Sequence, residues 1–466
     1  MKSFTNLIIF LFLSSTATAQ VFTVDTISKT GPLEKRINLV YLADGYTAGE
    51  QAKFINDVIS INDKLFNTVP IKEYKNYFNV FAIRVISIES GVKHPITASD
   101  CPSAATHPQS NPNNYFGTTF DAGNIHRLVV PSGYANINSV LATNFPLYDH
   151  AFIVANTSFY GGSGGTVATS TTHTNAAEIM IHEIGHSFAR LADEYWAGPQ
   201  YALEKPNMTA QSSPALVKWK NWIGAPGIGV HQHTGGAGWY KPTTGGTCKM
   251  EALGTAFCSV CKETFVERIH ELSSPLDSYS PSNATTFNVY STVGFKLNLL
   301  QPLPNTLKVR WLVNTEEKAL NTDTFTLLQG SLVNGNYTLL ATVADTTQLS
   351  RADNHLTIHT TNISWQVSMI TGVQEPDVFR ASLKIFPNPF SESLVLQYKL
   401  ERRSAVSVQL ISMNGTSTHL IQEKNQPAGS YSIPFTLNKY QLAEGVYTIV
   451  FKINGATIAK ELIKLQ

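Results

Sequence analysis

Hydrophobic and polar residues along this chain follow two different patterns. Up to about residue 155, apolar positions form solid runs separated by helical spacing. Arg36–Leu42 (RINLVYL) predicts a buried strand, closed by Asp44-Gly45. In Thr47–Phe66 the apolar residues Phe54, Val58, Ile61 and Leu65 recur at the period of a helix with one buried face. Tyr77–Ile88 is rich in β-branched and aromatic residues and predicts a second strand; His126–Val130 and Ala151–Val154 predict two more. Strand, helix, strand, strand implies an α/β sheet. A glycine-rich stretch, Gly161-Gly162-Ser163-Gly164-Gly165, precedes a second helix expected from Ala176 to Ala189. Asn175 and Glu178 stand at the spacing of a capping box ahead of it.

Beyond about residue 275 the pattern shortens. Thr286–Val289, Leu307–Val313, Thr324–Leu328, Tyr337–Ala341 and Leu356–Thr360 are β-type runs separated by Gly, Asn, Asp and Pro, as in a β-sandwich. A polar linker follows at 371–382. A second β-rich unit then runs to the C-terminus, with Asn454-Gly455 as a hairpin turn between Tyr447–Ile453 and Thr457–Leu465. No short-period repeat is visible.

The first residues read differently. Lys2, the apolar run Leu7–Leu13 and the small residues Ala17-Thr18-Ala19 form a secretory signal peptide that would leave Gln20 as the mature N-terminus. Seven apolar residues in a helix span about 10 Å, too short to cross a bilayer. No later stretch is apolar for long enough to predict a transmembrane helix. The onset of the first strand near Arg36 leaves little room for a long domain ahead of it.

Composition narrows the function classes. Of 466 residues, 43% are hydrophobic and 10% aromatic, which excludes wholesale disorder. Charged residues make up only 14% and the formal net charge is +1, so the basic excess of a nucleic-acid binder is missing. Export makes the four cysteines candidates for disulfides. A local bridge from Cys248 to Cys258 or Cys261 is expected, with the partner of Cys101 open.

The chemistry concentrates in His182-Glu183-Ile184-Gly185-His186, on the second helix. At 100° per residue the two histidines lie about 40° apart on one face, placed to share a tetrahedral zinc. Glu183 is turned aside, where it can act as base toward a zinc-activated water. A third ligand must come from Asp193 or Glu194. In an unbroken helix Asp193 would sit about 10 Å along the axis from His186. The helix must therefore end or bend between Ala189 and Asp193, as in metzincins. Here Ala189 occupies the usual glycine position and Ala192 the usual ligand position, so Asp193 comes one residue late. Asp193 is the preferred ligand and Glu194 the second choice. Met250, in Cys248-Lys249-Met250, could form a Met-turn beneath the zinc or simply fill the core. Tyr240 could donate to a tetrahedral oxyanion or pack a loop. His173, His231 and His233 are further metal neighbours to weigh. The glycine-rich run at 161–165 could leave a strand edge open to a peptide, or be a plain loop.

Three segments together resemble the M64 family of zinc metallopeptidases, named for an immunoglobulin A peptidase: Leu42–Phe54 (LADGYTAGEQAKF), His182–Tyr195 (HEIGHSFARLADEY) and Thr247–Cys261 (TCKMEALGTAFCSVC). The resemblance spans about residues 36–275. It implies zinc ligands at His182, His186 and Asp193, and Glu183 as base; it does not imply antibody as substrate. Near the C-terminus, Phe386-Pro387-Asn388-Pro389-Phe390, Gly445-Val446-Tyr447 and the closing Lys460–Leu465 resemble the type A sorting domain of the type IX secretion system. That likeness implies export across the outer membrane of a Bacteroidetes-type bacterium, with the sorting domain commonly cleaved on the way.

The expected organisation is a leader (1–19), an α/β zincin-like (metzincin-like) catalytic domain (20–277), and two all-β sandwich-type domains (278–370 and 383–466) around the linker. The expected function is that of a secreted zinc endopeptidase acting on protein or peptide. The alternatives are a catalytically weak zincin-fold binding or adhesion protein and a non-peptidase zinc hydrolase. An intact His182, Glu183 and His186 argues against decay.

Overall fold

A computed structural model describes residues 20–289, 292–328, 330–369, 383–454 and 456–465. The leader, the linker at 371–382 and Gly455 of the expected hairpin turn lie outside the described residues. The chain divides into two compact units. One comprises the residues up to Thr286, Gly294–Thr326 and Tyr337–Gln366; the other comprises Phe287–Val293, Leu327–Asn336 and the chain from Val367 onward.

The first unit is built on a six-stranded sheet of β1 (Val24–Ser28), β2 (Ile37–Asp44), β3 (Phe78–Ile83), β4 (His150–Ala155), β5 (Gly162–Ser163) and β6 (Ala168–Thr171). The spatial order is β1-β3-β2-β4-β6-β5. The central strands β3, β2, β4 and β6 are parallel, and β1 and β5 close the two edges antiparallel. Every residue of β2, β3 and β4 is buried, which explains why these strands read as unbroken apolar runs. α1 (Gln51–Leu65) buries Phe54, Val58, Ile61 and Leu65. It is led in by a short 3₁₀ turn, Ala48–Glu50, where Thr47 and Glu50 form a capping box. α2 (Tyr134–Asn144) precedes β4, and α3 (Ala176–Ser187) follows β6 and packs against α1.

Three local expectations fail, each for a visible reason. The capping box proposed at α3 does not form: Asn175 makes no side-chain cap. The Glu178 carboxylate is drawn instead to Lys249, to Lys64 and to the Gly254 N–H. His126–Val130 is not a strand and makes only single bridges, Leu128 to Gly162 and Val130 to Thr119. It emerges from a left-handed turn at Asp121, Gly123 and Asn124 and runs into Pro131, so no ladder propagates. Leu356–Thr360 is expected as strand, yet His355–Ile358 is a helical turn. The turn sets His355 and His359, four apart, on one face, and both reach Glu267.

β7 (His231–His233) and β8 (Gly236–Lys241) form a hairpin, and α4 (Ser259–Leu272) completes the α/β part. Accessory strands of the same unit are fastened to it by buried polar contacts. The Asp345 carboxylate accepts from Tyr74 Oη (2.6 Å), His270 Nε2 (3.0 Å) and Thr306 Oγ1 (2.6 Å). Tyr77 Oη donates to the Leu300 carbonyl at 2.7 Å. Among these strands, Leu307–Val313 pairs antiparallel with Glu316–Leu320 and with Gly335–Asp345.

In the second unit, Lys384–Phe386, Ser393–Leu400 and Gly429–Thr436 form one sheet. Ser417–Gln426, Ser404–Ser412, Gly445–Ile453 and Ala456–Lys464 form another. Alternate residues such as Leu394, Leu396, Tyr398, Val406, Val408, Leu410, Ile449 and Phe451 make its core, as the period-two pattern of a sandwich requires. No helix among the described residues is long and apolar enough to cross a membrane.

Candidate active site

α3 presents His182, Glu183 and His186 beside the β5–β6 edge of the sheet. Both imidazoles are oriented through Nδ1: His182 meets the Lys249 carbonyl at 2.9 Å and His186 the Leu191 carbonyl at 2.9 Å. A carbonyl only accepts, so each Nδ1 carries the proton and each neutral Nε2 presents a lone pair. The two Nε2 atoms lie 3.2 Å apart. Asp193 Oδ1 is 3.1 Å from one and 3.2 Å from the other, and it is buried with no properly directed hydrogen-bond donor. Three electron-rich atoms thus converge in a near-equilateral triangle. Ligands about 2.0 Å from a tetrahedral zinc stand about 3.3 Å apart. The donor set and its spacing fit a zinc ion.

The electrostatics agree with a cation site. Burial would raise the Asp193 carboxyl, yet the His182 and His186 imidazoles that face it hold it well below the carboxylate range. Burial opposes charge on His186, yet the carboxylate of Asp193 lifts it to about 9, so without a metal a proton on Nε2 takes the place a cation would hold. Burial pushes Glu183 up.

Asp193 arrives by a reversal of the chain. α3 ends at Ser187, where the Phe188 N–H still bonds the Ile184 carbonyl. Arg190 takes φ +58, a left-handed conformation that costs a non-glycine residue about 1–2 kcal/mol. The reversal is held by the Leu191 N–H on the Gly185 carbonyl (2.9 Å) and by Asn207. The Asn207 side chain accepts from the Ala192 N–H (2.7 Å) and donates to the Ala192 carbonyl (2.8 Å). Met250 is fully buried beneath this turn. A Cβ on Gly185 would stand 2.6 Å from its sulfur, so only glycine fits there with Met250 in place.

Glu194 turns the other way. It is fully buried, its N–H bonds the Met250 carbonyl (2.7 Å), and its carboxylate lies among Cys248, Cys258 and Cys261. All four cysteines are free thiols in the structure, so the expected local bridge is not formed.

A cavity of about 250 Å³ opens over His182 and Glu183, walled by Arg127, Tyr160, Ile179 and Tyr195 among others. The Tyr195 ring lies parallel to His182, 6.4 Å between centroids, and the Arg127 charge beside its hydroxyl offsets part of the rise that burial gives the phenol. Tyr240 does not line this cavity: it sits on β8, with its backbone paired to Thr209. His173 Nδ1 accepts from the Asn175 N–H, and His233 is buried beside Trp196. The sheet edge at Gly162 is occupied, since its N–H bonds the Arg127 carbonyl and its carbonyl accepts from Val129. Arg127, Tyr195 and Asn207 escaped the sequence reading. Tyr195 ends the histidine motif's own segment and carried a signal; Arg127 and Asn207 carried none.

Comparison with known proteins gives two family matches. Residues 26–231 match the model described as IgA Peptidase M64, and residues 384–465 match the Secretion system C-terminal sorting domain. The first match stops short of the Cys248–Cys261 segment. No curated protein matches the chain. Among solved structures, a Bacteroides ovatus mixed-linkage glucan utilization locus protein, SGBP-B, in complex with a mixed-linkage heptasaccharide aligns at 12% identity and TM-score 0.16, over 41% of this chain and 47% of that one. Fibronectin(III)-like modules of Clostridium thermocellum CbhA align at 13% identity and TM-score 0.19, over 41% and 92%. This chain thus spans about half the length of the glucan-locus protein, and TM-scores this low decide nothing about it. Residues 26–231 are thus matched as an M64 peptidase domain, and the sorting domain at 384–465 indicates secretion through the type IX system to the exterior or outer surface of a Bacteroidetes-type cell.

Proposed function

We propose that this protein is a secreted zinc endopeptidase with a zincin-like catalytic domain, holding zinc through His182, His186 and Asp193. The observation that carries this reading is the triangle of two imidazole Nε2 atoms and one carboxylate oxygen at 3.1–3.2 Å. When bound, zinc supplies Lewis acidity to a water and to the scissile carbonyl. Glu183 follows His182 on α3 and lines the cavity. Its carboxylate takes the proton from the attacking water and returns it to the leaving amine. Burial favours its protonated form and so makes it a better proton carrier. Tyr195 lines the cavity beside His182, where its phenol O–H can donate to the developing oxyanion. We therefore place on Tyr195 the role considered for Tyr240. Asn207 and the Lys249 and Leu191 carbonyls touch no substrate; they orient the three metal-binding side chains.

The test is zinc stoichiometry and cleavage of a mixed peptide library by the mature exported protein, beside Glu183→Gln. The expected result is zinc bound by both and cleavage by the parent only. Cleavage by Glu183→Gln would remove the base assignment, and zinc without cleavage by either would move the reading to another hydrolase or to a binding role.

A further inference from the structure

We propose that Glu194, Cys248, Cys258 and Cys261 form a second, structural zinc site directly behind the catalytic one. Cys248 Sγ lies 3.7 Å from Cys261 Sγ, and Glu194 Oε1 lies 3.3 Å from Cys261 Sγ and 3.8 Å from Cys258 Sγ. Two sulfurs each about 2.3 Å from a tetrahedral zinc stand about 3.8 Å apart, and a sulfur and a carboxylate oxygen about 3.5 Å apart. Cys248, Cys261 and Glu194 are 0% exposed and Cys258 is half-buried, so three of the four groups are shielded from water.

Two features of the cluster call for a cation. Three thiols in one pocket cannot all be satisfied by disulfides, since one is always left over. The Glu194 carboxylate has only neutral partners among the described residues: the Thr243 hydroxyl, the Asn207 amide and the thiols. Lys241 is close, but it bonds the Glu194 backbone carbonyl and pairs with Glu251. A buried carboxylate needs a compensating charge, and a metal ion supplies it. Cys258 stands at the N-cap position of α4 and Cys261 in its first turn, where the helix N-terminus favours thiolates.

The site is tied to the catalytic one by shared backbone. Asp193 and Glu194 are consecutive. In Cys248-Lys249-Met250, the first residue joins the thiol cluster, the carbonyl of the second orients His182, and that of the third holds the Glu194 N–H. A metal here would hold the turn that presents Asp193.

The test uses the full mature chain loaded with cobalt(II). The expected result is thiolate-to-cobalt charge-transfer absorption that persists in Cys101→Ser and in His186→Ala, because the catalytic triangle contains no sulfur. Cys261→Ser should weaken the band and lose one metal per chain. As a check that does not depend on the folding of that variant, the parent is also alkylated: its three thiols should resist modification until chelator and denaturant are added. A parent whose intact mass shows a Cys248 disulfide, or whose cobalt form lacks the band, overturns the proposal while leaving the catalytic reading intact.

A separate set of residues carries a second site independently. We infer that His94, Cys101, Asp121 and His126 hold another structural zinc. Cys101 Sγ lies 3.8 Å from His94 Nε2, 3.2 Å from Asp121 Oδ1 and 3.7 Å from His126 Nδ1. Asp121 Oδ1 lies 3.7 Å from His94 Nε2 and 2.8 Å from His126 Nδ1. Both imidazoles are set for ligation. His94 Nδ1 is committed to the Pro108 carbonyl (3.0 Å), which leaves Nε2 facing the cluster. His126 Nε2 meets His107 Nδ1 (3.1 Å), which leaves Nδ1 facing it. The surrounding loop holds Ile96, Asp121 and Asn124 at positive φ, a strain that a metal clamp would offset. His126 adjoins Arg127, so this clamp would fix one wall of the cavity. Anomalous scattering at the zinc edge from crystals of the parent protein should give a peak among these four residues, and Cys101→Ser should carry one zinc fewer by native mass. A parent without that peak, or a Cys101→Ser chain with an unchanged zinc count, overturns this assignment.

Discussion

Asp193 and Glu194 are neighbours in the chain and point to opposite sides of it. Asp193 Oδ1 stands 3.1 Å from His182 Nε2, while Glu194 Oε1 stands 3.3 Å from Cys261 Sγ. A pair of carboxylates that look interchangeable in the sequence is thereby split between two sites. Asp193→Ala is expected to lower affinity for the catalytic metal by at least about 100-fold while the protein stays folded. Glu194→Ala should leave a buried thiol cluster without its fourth member and cost about 3 kcal/mol of stability or more. Competition dialysis with a zinc chelator, beside urea unfolding, separates the two outcomes. An Asp193→Ala chain that keeps the parent's zinc count and affinity would remove the assignment of Asp193.

Tyr195 and Tyr240 make a second contrast. Only Tyr195 lines the cavity over Glu183. Tyr195→Phe is expected to lower kcat by about 100-fold with little change in KM, the pattern of a donor used in the transition state. Tyr240→Phe should leave both constants near those of the parent. Steady-state kinetics on a cleaved peptide checks the pair.

The contact between Gly185 and Met250 makes a stability prediction. Gly185→Ala places a Cβ 2.6 Å from the Met250 sulfur. Overpacking of this kind costs about 1–3 kcal/mol, more than the roughly 1 kcal/mol that alanine returns in a helix. Adding Met250→Ala should relieve part of that cost, so the double variant should be less destabilised than the sum of the single variants. Thermal unfolding of the four proteins measures the coupling.

Glu267 gives a pH dependence. Burial alone would raise its carboxyl, but hydrogen bonds from His355 and Ser350 and the two histidine charges bring it from 4.5 to about 2. A depressed carboxyl stabilises the fold fully above its unfolded value, and the contribution fades as the pH falls toward the folded value. Glu267→Gln should therefore be less stable than the parent by on the order of 2 kcal/mol at neutral pH. The gap should close as the pH falls from about 4.5 to about 2. Urea midpoints across that range test the sign.

Much of this protein is legible one segment at a time. The solid apolar runs of β2 and β4, the stripe Phe54, Val58, Ile61 and Leu65 on α1, and the spacing of His182 and His186 are local facts. Side-chain direction in a strand or helix follows from period alone. The need for a break after Ala189 also followed from helix rise, since Asp193 could not otherwise come near His186. The break falls inside that expected interval, at Arg190, in a left-handed conformation that no glycine announced.

What the tertiary structure alone decided are the meetings of distant residues. Glu178 left its helix cap because Lys249, far along the chain, offered a stronger partner. Arg127 came to line the same cavity as Tyr195, and Asn207 reached Ala192, through chain reversals with no local signature. Cys248 and the Cys258–Cys261 pair, read as a disulfide framework, became a thiol cluster once Glu194 was folded in beside them. Spacing along the chain sets which side chains share a face of one element. Only the packing of elements sets which faces meet, and both the His182, His186 and Asp193 triangle and the buried thiol cluster are made where faces meet.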